Sequence, residues 1–289
     1  MKRKRHHYVP AFYLTGFTAP DKRDRVWVYP KDGSTPFDTN VSNAAVEKYF
    51  YSLMHDPDNI DVDSVEKYLD QEIETPANPV IAKLRSHKRV RISALEKRKL
   101  TKYLAYMLTR VPANRIKVQD DIPRLVADAK KRTQDTFARK GGDSKYVRLT
   151  DALNALDTVK EELIQELSFP HFNKTLENLL YKMNWATFRA YPGLGFATSD
   201  NPFCYSEHLG LIDEESRFIF PLASDIVLVG AWAPIPVDDF AIYNVLFGKP
   251  EDNDVINRIV IASATKYIFY KENCIWMRSL IEQVRVAQA

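Results

Sequence analysis

Leu176-Glu-Asn-Leu-Leu-Tyr-Lys-Met-Asn-Trp-Ala-Thr-Phe-Arg-Ala-Tyr191 is where the chain changes texture. Up to Lys182 the apolar residues Leu176, Leu179 and Leu180 recur at helical spacing, behind Pro170 as a helix opener. From Trp185 to Tyr191 aromatic and β-branched residues take over, and Phe218–Leu222 and Ile226–Trp232 repeat the pattern between Gly, Pro, Asp and Ser. Helices therefore precede Asn184, and most strands follow it.

Working back from this boundary, Thr150 is a candidate N-cap for a helix carrying Leu153, Leu156, Leu163, Ile164 and Leu167, and Gly141-Gly142-Asp143-Ser144 marks a loop. Ser93-x-x-Glu96 is a capping box that leads into Leu100, Tyr103, Leu104, Met107 and Leu108 on one face. Pro112 interrupts that helix after Arg110, and a second stretch through Ile116, Ile122, Leu125 and Val126 continues to about Phe137. Behind Asp61 or Asp63, the spacing of Val65, Leu69, Ile73, Val80, Ile81 and Leu84 predicts a helix broken or kinked at Pro76 and Pro79. Arg25–Tyr29 reads as a short strand ended by Pro30 and Gly33. Beyond the later strands come a helix over about Asp252–Ala264, a strand Tyr267–Tyr270 and an amphipathic tail Ile275–Val286. Strands at both ends of a helical middle predict an α+β fold. The expectation is a small N-terminal sheet, a helical middle over about 60–184 and a larger, mostly antiparallel sheet over about 185–289, all in one compact domain, 1–289.

A chain of 289 residues with 45% hydrophobic composition can bury a large core, which excludes a disordered or fibrous protein. No apolar run approaches the roughly 18 residues of a membrane span, and Met1–Arg5 leads into histidines rather than a signal peptide's apolar core. A cytoplasmic protein without a membrane partner is expected. Cys204 and Cys274 have no CxxC or Cys/His ligand spacing, so they read as inert thiols.

The net charge of +3 conceals segregation. Asp56, Asp58, Asp61, Asp63, Glu66, Asp70, Glu72 and Glu74 face one base, Lys67, whereas Lys83–Lys102 holds nine bases against Glu96 alone. Two readings are open: oppositely charged helix faces packed together or simply solvated, or a positive surface for nucleic acid over segments 83–102 and 130–148.

His6-His7-Tyr8-Val9-Pro10 places two titratable rings on a short, stiff piece of backbone. On extended chain they point to opposite faces, so one imidazole can bind a metal or act as a base while the other is held by a neighbour. A pair of partly buried histidines bonded to backbone or a carboxylate is the structural alternative. With its continuation Ala11-Phe12-Tyr13-Leu14-Thr15-Gly16-Phe17, the segment resembles a bacterial family known only as domain of unknown function 4238, whose members open His-His-Tyr-Val-Pro-x-Phe-Tyr-Leu. The resemblance extends through Arg110-Val111-Pro112-Ala113-Asn114-Arg115, Thr198-Ser199-Asp200-Asn201-Pro202, Pro221-Leu222 and Asn257. It implies one unit of conserved length and no activity. His6-His7-x-x-Pro10 is also similar to the opening of HNH-type nucleases. There, however, a glycine-rich turn stands in place of Ala11-Phe12-Tyr13-Leu14, and the downstream Asn and His have only Asn40, Asn43 and His55 as counterparts.

Thr198–Pro202 reads as a turn with Asp and Asn bonding to nearby backbone, or as a strand end that projects Asp200 into a cleft with Ser199 and Asn201 in support. Arg110 and Arg115 bracket Pro112 and can clamp a phosphate, or pair with Glu72 or Glu74 to hold two helices together. Gly193-x-Gly195 lacks the third glycine and the helix of a phosphate loop. A Gly-x-Ser-x-Gly elbow, a Walker A loop, a His-Glu-x-x-His helix and a kinase motif set are all missing.

The function expected first is a metal-dependent phosphodiester hydrolase, nuclease-like. His6 or His7 would activate water, a divalent metal would sit among His6, Asp200 and Glu74, and Arg110 and Arg115 would bind phosphate, with Glu72 in support. The alternative is a non-enzymatic binding or regulatory protein in which the same His, Asp and Arg residues pin the N-terminal segment to the C-terminal sheet.

Overall fold

The computed structural model describes residues 5–19, 21–48, 50, 64–86, 90–114, 116–117, 131, 171–206, 209–233, 241–242, 244–246 and 249–288. The N-terminal third runs β1 (Arg5–His7), α1 (Ala11–Leu14), β2 (Arg25–Pro30), β3 (Phe37–Asn40) and β4 (Val46–Lys48), then α2 (Ser64–Tyr68) and α3 (Thr75–Arg85). β5 (Val90–Arg91), α4 (Ala94–Thr109) and α5 (His171–Lys182) follow, and β6 (Asn184–Arg189) begins at the change of texture. The rest comprises β7 (Thr198–Ser199), β8 (Cys204–Tyr205), β9 (Arg217–Ala223), β10 (Ile226–Ala231), β11 (Ala241–Ile242), β12 (Asn244–Leu246), α6 (Pro250–Ser263), β13 (Tyr267–Tyr270) and α7 (Ile275–Gln288). The expected Thr150 helix, the Gly141–Ser144 loop and the stretch from Ile122 to Phe137 lie outside the described residues. No helix among the described residues is long and apolar enough to cross a membrane.

The architecture is α+β. The larger sheet has the order β12-β6-β10-β9-β8 and is antiparallel except where β12 runs parallel to β6. Along β9 the residues Phe218, Phe220 and Leu222 are fully buried. That is the period-2 alternation of a sheet face turned to a core. Opposite Phe218 in the register stands Gly230, where an added Cβ would fall 1.9 Å from the phenyl ring, so only glycine lets that ring lie across the strand.

The N-terminal strands do not stand alone. β2 and β3 form a hairpin, but β13 pairs with the other edge of β2, and β7 follows, giving the order β3-β2-β13-β7. The small sheet is therefore sewn from both ends of the chain. Two two-stranded pieces, β1-β4 and β5-β11, complete the described strands.

Helical elements follow their local signals. Ser93 Oγ accepts from the Glu96 N–H at 3.1 Å, and Glu96 Oε2 accepts from the Ser93 N–H at 2.6 Å, so both halves of the capping box open α4. The expected break at Pro76 and Pro79 takes another form: α2 and α3 join through a π-wound stretch, Leu69–Glu74, in which Thr75 N–H donates to Asp70 O. In an α-helix the Glu72 carbonyl would accept from residue 76, which is a proline without an N–H; Lys102 Nζ donates to it at 3.3 Å. Leu69, Ile73, Ala77, Val80, Ile81 and Leu84 still share one buried face, against the buried face of α4.

Candidate functional site

His6 and His7 lie on β1, paired with Glu47 and Val46 of β4. The extended backbone splits the rings as required: His6 is fully buried, whereas His7 is half-buried. His7 Nε2 donates to Ser42 O at 3.2 Å, which places its proton on Nε2 because a carbonyl can only accept. Burial pushes the His7 imidazole pKa down; the Ser42 carbonyl and Glu74 oppose this, and Arg110 and Arg5 add to it.

Arg110, at the C-terminal cap of α4, is buried and turns its fork toward β1. Nη1 meets Glu74 Oε1 at 2.7 Å, and Nη2 donates to the main-chain carbonyl of His7. The arginine side chain is 1% exposed and the glutamate 17%, so this is a nearly dry ion pair joining α4, the π-wound stretch and β1. Glu66 approaches the His7 N–H at 3.5 Å. The site proposed from sequence is thus half assembled. Arg110, paired with Glu74, reaches the histidine motif at the His7 main-chain carbonyl. Glu72 is exposed, and Arg115 lies outside the described residues.

Asp200 belongs to a different junction. It is 1% exposed; Oδ1 accepts from Thr265 N at 2.7 Å, and Oδ2 accepts from Lys266 N at 2.7 Å and Tyr267 N at 3.0 Å. Burial raises its carboxyl pKa, while these three amides and Lys31 act in the opposite direction. Ser199 Oγ accepts from Asn201 N at 3.1 Å, and Asn201 Nδ2 donates to Ser263 O at 2.9 Å. Lys31 Nζ donates to Ala262 O and Ala264 O, capping the carbonyl end of α6. Of the turn reading of Thr198–Pro202 only the Ser199–Asn201 contact is local; the Asp200 and Asn201 side chains bond to the distant passage from α6 into β13. The expected grouping of His6, Asp200 and Glu74 about a metal does not form: both Asp200 oxygens already accept amides, and no group of three or more His, Cys, Asp or Glu able to hold a metal ion occurs among the described residues.

Other residues do the joining. Tyr13, fully buried, makes contacts at 2.8 Å to Thr198 Oγ1 and 2.7 Å to Pro221 O, so the N-terminal motif is bolted to both sheets by one hydroxyl. Arg85 Nε donates to Leu222 O and Nη2 to Tyr13 O, each at 2.8 Å. They cross at Gly16, where an added Cβ would fall 2.6 Å from Arg85 Nη2 and 2.8 Å from Leu222 O. Asn257 of α6 serves residues 195–197 as a strand would, accepting from Ala197 N at 2.8 Å and donating to Gly195 O at 2.9 Å. Tyr13 was in view within the motif, and Asn257 in the resemblance. The role of Arg85 was hidden in a basic run.

That run, 83–102, divides by partner. Lys83 pairs with Glu96 at 2.9 Å, Arg85 is tied to carbonyls, and Lys97 Nζ donates to Met183 O at 3.0 Å. Arg98, Lys99 and Lys102 instead line a cleft between α4 and α5, with Lys174 and Tyr181 on the far helix. Of segment 130–148 only Lys131, exposed, is among the described residues.

A family model described as Protein of unknown function (DUF4238) matches residues 5–273. The chain belongs to this family. The DUF4238 match takes in β1, the Arg110 cap, the Asp200 turn, the basic cleft and β13, and stops just before α7. No curated protein and no solved structure matches the chain.

Proposed function

We propose that this DUF4238 chain is a binding protein for nucleic acid, in which the histidine pair, Arg110 and Asp200 hold the fold instead of performing chemistry. The observation that carries this reading is how the polar groups are committed. The Arg110 fork is occupied by Glu74 and the His7 carbonyl, and both Asp200 oxygens by backbone amides. A phosphate clamp or metal ligand needs those same lone pairs and donors free for its ligand. On the exposed face of α4, by contrast, Arg98, Lys99 and Lys102 have no carboxylate paired to them among the described residues and line one cleft. Mixing purified protein with labelled DNA and RNA tests the reading: binding that weakens steeply with salt, with no cleavage in Mg²⁺ or Mn²⁺, is the expected result.

One observation favours the phosphodiester-hydrolase reading. The His7 ring, its pKa lowered by burial and its Nε2 anchored on the Ser42 carbonyl, carries its lone pair on Nδ1 and feels the charges of Glu74 and Arg110. That reading predicts metal-dependent cleavage abolished in a folded His7→Gln variant.

A further inference from the structure

We propose that the cleft between α4 and α5 is the seat of a single-stranded nucleic-acid backbone, with Arg98 as its phosphate fork; this rests on the binding reading above. The cavity has a volume of about 240 Å³ and is lined by Arg98, Lys99 and Lys102 from α4 and by Lys174 and Tyr181 from α5. Two acids share it, Glu72 and Glu177. Glu177 is engaged by Lys174 at 3.4 Å, and no carboxylate pairs with Arg98, Lys99 or Lys102 among the described residues. Three neighbouring cations on one helix face repel one another, and an anion in the cleft would relieve this.

Their geometry favours a phosphodiester over a diffuse counter-ion cloud. The Arg98 guanidinium carbon stands over the Tyr181 ring, 4.6 Å from its centroid, a contact that favours keeping the fork at the cleft before any ligand arrives. Lys102 is held from two sides, with Nζ 3.3 Å from Glu72 O and 5.4 Å from the centroid of Tyr68. Tyr68 is itself 37% exposed and offers ring surface beside the cations. Preset cations interleaved with aromatic rings in a concave groove suit a flexible strand whose phosphates enter and whose bases stack. A duplex presents a stiff convex surface and keeps its bases inside.

The test is fluorescence anisotropy of a labelled single-stranded oligonucleotide against the full chain across a salt series. Arg98→Gln/Lys99→Gln/Lys102→Gln is compared with Lys22→Gln/Arg217→Gln/Arg278→Gln, which removes the same charge from exposed positions outside the cleft. The cleft variant should lose at least tenfold in affinity, and its log–log salt slope should shrink by about 2, since each phosphate contact on a single strand contributes roughly 0.7. The control should lose less than twofold, and both variants should melt as the wild type does. Equal losses in the two variants, or competition by the matching duplex or by poly-glutamate as strong as by the single strand, would overturn the cleft. Wild-type binding that the cleft variant retains in full removes the cleft and leaves the binding reading standing. A wild type that binds no oligonucleotide removes both.

Discussion

The β1–Arg110–Glu74 cluster and the α4–α5 cleft both gather charge, and they use it in opposite ways. In the first, Arg110 Nη1 and Nη2 each meet an acceptor, at 1% side-chain exposure, and the result is three elements locked together. In the second, Arg98, Lys99 and Lys102 of the same helix line an open cleft, with no carboxylate paired to them among the described residues. A buried ion pair that loses one member is left with an uncompensated charge, so the first cluster resists change. An exposed set of like charges contributes little to stability and much to attraction at a distance. On the binding reading proposed above, histidine, arginine and aspartate in a marked motif serve the scaffold, and the cleft cations are the groups left to meet a ligand.

Breaking the first region, and then the other buried polar junctions, should cost stability in a graded order. Arg110→Met strands Glu74 and the His7 carbonyl and should cost about 3 kcal/mol or somewhat more, read by urea denaturation; a loss under 1 kcal/mol would show the pair to be incidental. Asp200→Ala orphans three amides at the entry to β13 and should cost about 3 kcal/mol, with Asp200→Asn costing less because one oxygen still accepts. Tyr13→Phe removes the contacts to Thr198 and Pro221 and should cost about 1 to 2 kcal/mol. Tyr103 sharpens the contrast: it is equally buried, but its hydroxyl has no hydrogen-bond partner among the described residues. Tyr103→Phe should accordingly be neutral or stabilising by up to about 1 kcal/mol. The smallest effect is that of His7 on acidification. Burial lowers its pKa in the folded chain below the ordinary 6.5, so as pH falls through 6.5 the unfolded chain takes up the proton first. Stability should decline from about that pH downward until the folded histidine also protonates, and His7→Gln should flatten this part of the melting-temperature profile.

Local signals carried the reading as far as local physics reaches. The Ser93 capping box, the periodicity of α4 and the switch at Asn184 each depend on a few neighbouring residues, and each appears where the sequence places it. Glu74 as a partner of Arg110 was legible as one of two acids on the right helix. The pairing of β13 with β2 was not, because Tyr267 meets Pro30 across most of the chain and neither strand names its neighbour. Asp200 reads as part of a local turn or of a cleft-facing strand end for the same reason: the amides it serves, Thr265 to Tyr267, leave no trace in its own segment. The proline pair at 76 and 79 predicted a break, and the helix answered with a wider turn and a borrowed lysine, a solution only tertiary contact supplies.

The central claim, that the motif is scaffold and the unpaired cations are the working surface, is tested most directly by one labelled oligonucleotide incubated with Mg²⁺ and either wild type or a His7→Gln variant shown to be folded by its melting curve. Binding and strand integrity are read in the same sample. The account predicts equal binding by both proteins and an intact strand throughout. A strand cut by the wild type and left whole by the folded variant would contradict it.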